Sequence, residues 1–214
     1  MNNMKRRSKV QSLGEEIANA VTHGIGAILG IVYFALLLVQ STDGYRLASA
    51  IIFSFSVIVL YTMSTLYHAF PNNTTVKAVF KRFDHISIYL LIGGSFTPLF
   101  FIVMEQPLGM LLSLLQYAFI ILGVILKAIF IHRLQALHIG VYLALGWSAV
   151  FLLEPLQQLD STALWLVISG GMAYTVGVIF YSTRLFKFSH MVWHLFVMAG
   201  TFFHFLAFYL YLFA

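Results

Sequence analysis

His190 and His194 stand four residues apart at the start of an apolar stretch. On a helix that spacing puts both imidazoles on one face, a turn apart, as two ligands of one zinc ion require. His68 closes another apolar stretch and is a third candidate ligand, and Asp84 lies just beyond it. Ionisable residues inside a membrane mark functional sites by default. Three imidazoles leave the fourth tetrahedral position to water, the pattern of a catalytic zinc. Zinc lowers the pKa of that water to about 7. Asp84 is placed to accept its proton or hold it by hydrogen bond. Ser64, four residues before His68, can steady the water, a ligand or an oxyanion. Glu16, Asn19 and His23 fall three and four apart on one stripe. They read as an outer shell that orients the ligands or tethers the first helix.

The chain around these groups is almost all membrane. Its 214 residues are 61% hydrophobic and 9% charged, against about 25% charged in soluble domains. A spanning helix needs about 20 apolar residues. Seven segments meet that need, at about 17–39, 45–67, 84–104, 108–131, 137–153, 162–183 and 190–213, the fifth being the shortest. The expectation is an all-α integral membrane protein, a seven-helix bundle forming a single domain over 1–214, with 1–15 a basic N-terminal segment. Gly93, Gly94 and Pro98 inside the third segment, and Gly170 and Gly171 inside the sixth, permit kinks and close helix approach. With no cysteine, disulfides, thiolate metal sites and a cysteine nucleophile are excluded.

The net charge of +5 does not point to nucleic acid, because its sources are scattered over the loops. Lys5, Arg6, Arg7, Lys9, Lys77, Lys81, Arg82, Lys127, Arg133, Arg184 and Lys187 all fall on one side, and Arg46 alone on the other. The positive-inside rule makes the crowded side cytoplasmic, so the N-terminus is inside and the C-terminus outside. The apolar run from Gly24 to Val39 is read as an uncleaved anchor. This topology brings Glu16, Asn19, His23, Ser64, His68, Asp84, His190 and His194 to one depth near the inner face. Pointing these stripes at one another across the bundle avoids costly lipid contact.

Several of these residues also fit plainer roles. Ser64 can back-bond to its own helix, Asn19 can glue helices together, and Asp84 can cap the third helix. The segment Pro71–Phe83 has Val76, Val79, Phe80 and Phe83 at helical spacing and is expected as a short helix on the inner interface. His85 is expected at the interface, His132 and His138 in solvent, and His204 as a buried hydrogen-bonding residue. The Phe202–Tyr211 stretch is expected to face lipid. A retinal-type sensor is disfavoured, since residues 190–214 hold no lysine.

Glu16-x-x-Asn19-x-x-x-His23, Ser64-x-x-x-His68 followed by Asp84, and His190-x-x-x-His194 together resemble the three signature motifs of the hemolysin III family. That is the bacterial branch of the progestin and adiponectin receptor superfamily, and the resemblance covers nearly the whole chain. It implies seven helices in a bacterial plasma membrane, inverted relative to G-protein-coupled receptors. It also implies zinc on His68, His190 and His194, with Asp84 near the zinc-bound water and Ser64 close by. Ceramidases in the wider superfamily suggest a zinc hydrolase of a lipid amide or ester, the membrane lipid being substrate or ligand. The alternatives are a membrane-state sensor with a structural zinc, and a haemolysin-like permeabilising or channel protein.

Overall fold

The computed structural model describes residues 11–131, 133–183 and 185–214. Lys5, Arg6, Arg7, Lys9, His132 and Arg184, which entered the topology and solvent expectations, lie outside these residues. Among the described residues, seven helices are long and apolar enough to cross a membrane. They are α1 (Leu13–Val39), α2 (Gly44–Ala69), α3 (Thr75–Pro98), α4 (Leu108–Ile129), α5 (Gln135–Trp147), α6 (Ser161–Thr183) and α7 (Ser189–Ala207). Wider π turns extend α3 through Val103 and α7 through Leu212, and a 3-10 turn extends α5 through Leu152.

The distribution of polarity is that of a bilayer protein. Large apolar side chains face outward, with Ile28 64%, Leu114 65% and Trp165 65% exposed. Asn19, His23, Ser64, His68, Asp84 and His194 are buried instead. Water would penalise that arrangement, whereas lipid makes it the stable one, because backbone and side-chain polar groups must be satisfied inside the bundle.

Local sequence sets the helix starts. Ser12 caps α1 in a reciprocal box with Glu15, whose carboxylate accepts from the Ser12 N–H at 2.9 Å. The helix therefore begins four residues before the expected apolar segment. Asp43 caps α2, accepting from Tyr45 N at 2.8 Å and Arg46 N at 2.9 Å.

α3 departs most from expectation. The separate interfacial helix over Pro71–Phe83 does not exist; α3 runs unbroken from Thr75 through Asp84. Thr74 is its cap, accepting from Lys77 N at 3.2 Å, so Asp84 is not a capping residue. No glycine or proline separates Phe83 from Asp84, so nothing stops the amphipathic turns from continuing into the apolar ones. Asp84 consequently lies more than two turns inside the helix, where its carboxylate must find partners in the bundle.

α1, α2 and α3 pack side by side, α6 lies along α7, and α7 closes back on α1. Gly94 lets α3 approach α2 closely. A Cβ there would run into the Ser56 side chain and come within 3.2 Å of the Ile52 carbonyl. By contrast α5 touches α3, α4 and α6 through few residues. The space it leaves is a largely apolar cavity of about 200 Å³ between α3, α5, α6 and α7. Two aromatic expectations need correction here. Within Phe202–Tyr211, Phe205 and Phe208 are buried, because α7 turns that face toward Tyr33 and Phe53. His138 is buried rather than solvated, its Nδ1 2.8 Å from the Tyr89 hydroxyl.

Replacing Gly94 with Ala should cost roughly 1–3 kcal/mol through overpacking. Thermal unfolding of the purified protein should show a lower midpoint for Gly94→Ala. Gly140→Ala, where a Cβ would meet nothing within 4 Å, should leave the midpoint unchanged or raise it.

Candidate metal centre

α2 and α7 bring the three imidazoles together. One ligand atom from each of His68, His190 and His194 lies within 4.8 Å of the other two. His68 and His194 are buried and His190 is half-buried. Ring centroids of His190 and His194 are 4.6 Å apart, and those of His68 and His194 5.2 Å. The Nε2 atoms of all three are shut off from solvent and have no hydrogen-bond partner among the described residues. A buried imidazole nitrogen left unpaired carries a desolvation penalty. Three imidazoles with ligand atoms this close together, each with an unpaired Nε2, fit a cation that takes nitrogen ligands.

The remaining ring nitrogens show how the rings are oriented. His68 Nδ1 lies 2.7 Å from Glu16 Oε2. A carboxylate only accepts, so Nδ1 carries the proton and Nε2 keeps its lone pair for a metal. His194 Nδ1 lies 3.3 Å from Thr22 Oγ1. The single Thr22 proton is already directed at the Ala18 and Asn19 carbonyls, at 2.9 and 3.0 Å. His194 Nδ1 therefore donates to Thr22, and its Nε2 is also free to bind. Both ligands on different helices are thus aimed from α1.

Lys77 completes the support. It is buried, and its Nζ donates to Glu16 Oε2 at 3.1 Å and to the Tyr67 and Phe70 carbonyls at 2.9 and 3.0 Å. It thereby satisfies two end carbonyls of α2 while holding the carboxylate that orients His68. In sequence Lys77 stood out only as part of the charge bias. Its second role depends on α3 starting at Thr75, which places it one turn into that helix.

The other expected residues take distinct places. Asn19 is fully buried; its Nδ2 donates to Gln11 Oε1 at 2.8 Å and stands 3.5 Å from His68 Nδ1. His23 makes no hydrogen bond to a ligand but stacks on the His194 ring, with centroids 3.5 Å apart. Asp84 is buried and outside the three-nitrogen cluster, within electrostatic reach of His68 and His190. Ser64 is fully buried beside it. His85, expected at the interface, sits half-buried with Nδ1 3.1 Å from Asp84 Oδ2. His204, expected as a buried hydrogen-bonding residue, is half-buried on α7, its Nε2 3.2 Å from the Val167 carbonyl.

Fold and site define a class: a multi-pass α-helical membrane protein with a buried cluster of three histidines able to hold a metal ion. The comparisons narrow it. The profile of the Haemolysin-III related family matches residues 11–205, and the chain belongs to that family. It is 36% identical to Hemolysin-3 of Bacillus cereus over 202 residues, covering 92% of this chain and 91% of that protein. It is 34% identical to the Hemolysin-3 homolog of Bacillus subtilis (strain 168) over 194 residues, covering 89% and 91%. Human Monocyte to macrophage differentiation factor is 28% identical over 207 residues, covering 93% of this chain and 85% of its own. These bacterial relatives and the seven apolar helices make the chain a multi-pass protein of a bacterial membrane.

Glu16→Gln should weaken metal binding at this cluster by about 10–100-fold, since the amide no longer forces the His68 proton onto Nδ1. Titration of metal-free purified protein with zinc against a competing chelator measures this. Affinity equal to wild type would show that Glu16 does not orient a ligand.

Proposed function

We propose that the chain is a zinc-dependent hydrolase of a membrane lipid amide or ester. The observation that carries this reading is the junction of the three unpaired histidine nitrogens with the apolar cavity. His23 and Trp193 line the inner end of that cavity. The His23 ring stacks on His194, and Trp193 lies 4.8 Å from His190 and 5.1 Å from His194 between ring centroids. A chain in the cavity would bring its polar head to the histidines.

Bound zinc would supply a water acidic enough to deprotonate near neutral pH and a positive charge for a carbonyl oxygen. The protein's own residues do the rest. His68, His190 and His194 would hold the ion. Asp84 accepts the proton released as the water oxygen bonds to the carbonyl carbon. It then returns that proton to the amine or alcohol as the carbon–nitrogen or carbon–oxygen bond breaks, which balances the hydrolysis. His85 stands beside this carboxylate, its Nδ1 3.1 Å from Asp84 Oδ2. Ser64 offers a hydroxyl beside Asp84 to position the water or the developing oxyanion. The loosely packed α5 forms the cavity's side toward the bilayer, so a lipid chain would reach it laterally.

In a sensor with a purely structural zinc, the same ligands would hold the helices together without turnover. Turnover is therefore the discriminating quantity. Zinc-loaded wild-type protein in bilayer discs should release free fatty acid from a panel of ceramide and phospholipid substrates. Asp84→Ala should lower kcat by about 100-fold or more. Gly171 lines the cavity with open space around its missing Cβ, so Gly171→Leu should raise KM while leaving zinc content intact. Release that persists unchanged in Asp84→Ala and His190→Ala sinks the assignment.

A further inference from the structure

About 15 Å along α7 from His194, at ten residues' distance, the cavity wall becomes polar. Ser95 of α3, Tyr174 of α6 and His204 of α7 all line it there. The Tyr174 and His204 rings meet edge to face with centroids 5.5 Å apart, and Ser95 lies beside the Tyr174 hydroxyl. Two glycines make room for these rings. A Cβ at Gly170 would strike the His204 imidazole, and one at Gly200 would come within 2.7 Å of the Tyr174 ring.

The ring proton of His204 can be assigned. His204 Nε2 faces the Val167 carbonyl, which only accepts, so Nε2 carries the hydrogen and Nδ1 a lone pair. That Nδ1 is shut off from solvent with no partner among the described residues, and so is Ser95 Oγ. Thr201 Oγ1 donates to the Val197 carbonyl at 3.1 Å. Its oxygen also lies 3.0 Å from the Tyr174 hydroxyl and 2.7 Å from the Tyr61 hydroxyl, which in turn reaches the Val197 carbonyl at 3.4 Å. The cluster as a whole offers one fixed acceptor, His204 Nδ1, and hydroxyls that can donate or accept.

We infer that Ser95, Tyr174 and His204 form a second recognition point in the cavity, which binds a hydroxyl group carried in the middle of a lipid chain. A hydroxyl donates to His204 Nδ1 and accepts from Ser95, satisfying the orphaned atoms. A carbonyl or a carboxylate has no proton for His204, and a plain hydrocarbon would leave both buried groups unpaired. This selects, among the lipids of the proposed reading, those with a hydroxylated chain. It rests on that reading for the placement of the chain in the cavity.

The test is binding, not turnover. Zinc-loaded protein in bilayer discs is titrated with a saturated long-chain fatty acid and with the same acid carrying one mid-chain hydroxyl. Wild type should prefer the hydroxy acid by about tenfold, as expected for a ligand that satisfies buried polar groups. Ser95→Ala and His204→Phe should each reduce the preference to about twofold or less. Unchanged binding of the plain acid shows that the variants are folded. Equal affinities in wild type, as when water already fills the polar point, overturn the inference while leaving the lipid cavity standing. So does a preference that survives in both variants. Failure of either acid to bind overturns the lipid reading itself.

Discussion

The constraint on which this structure depends is the intolerance of a bilayer interior for unpaired polar groups. Seven helices satisfy their own backbone, which leaves the side chains to be settled inside the bundle. Some are settled locally: Thr22, Thr65 and Thr97 return a hydrogen bond to their own helix. The Nε2 atoms of His68, His190 and His194, on α2 and α7, are among those left unpaired. One ligand atom of each ring lies within 4.8 Å of the other two, and the Nδ1 atoms of His68 and His194 are committed to Glu16 and Thr22. Those two rings therefore turn lone pairs toward the cluster, and three imidazoles so placed are able to hold a metal cation.

That constraint explains the rest of the inner end. α1 carries no member of the trio, yet its Glu16, Thr22 and His23 orient or support two of them. Lys77 in turn holds Glu16 and closes the end of α2. Helices α1, α2, α3 and α7 are thus locked at one level by a polar cluster, while α5 has few contacts with its neighbours. Rigidity is concentrated at the histidines and looseness beside the cavity.

Much of this was legible in the sequence. The seven spans follow from apolar run length, and the stripes on α1, α2 and α7 follow from three- and four-residue spacing. Other features were not legible, for identifiable reasons. An amphipathic stretch reads alike whether it lies on the interface or continues into a span, so the true start of α3 was missed. His138 was expected in solvent because its burial depends on Tyr89, 49 residues earlier in the chain. Lys77 was absorbed into the charge bias, since one residue can serve topology and packing together. The cluster of Ser95, Tyr174 and His204 joins common residue types from three helices, and no motif announces it.

X-ray absorption at the zinc edge of the purified, zinc-loaded protein addresses the central claim most directly. A centre built by this chain should show three imidazole nitrogens and one oxygen at about 2.0–2.2 Å, and His194→Ala should lose the signal at equal protein concentration. A spectrum without imidazole scattering, or one unchanged in His194→Ala, would contradict the account.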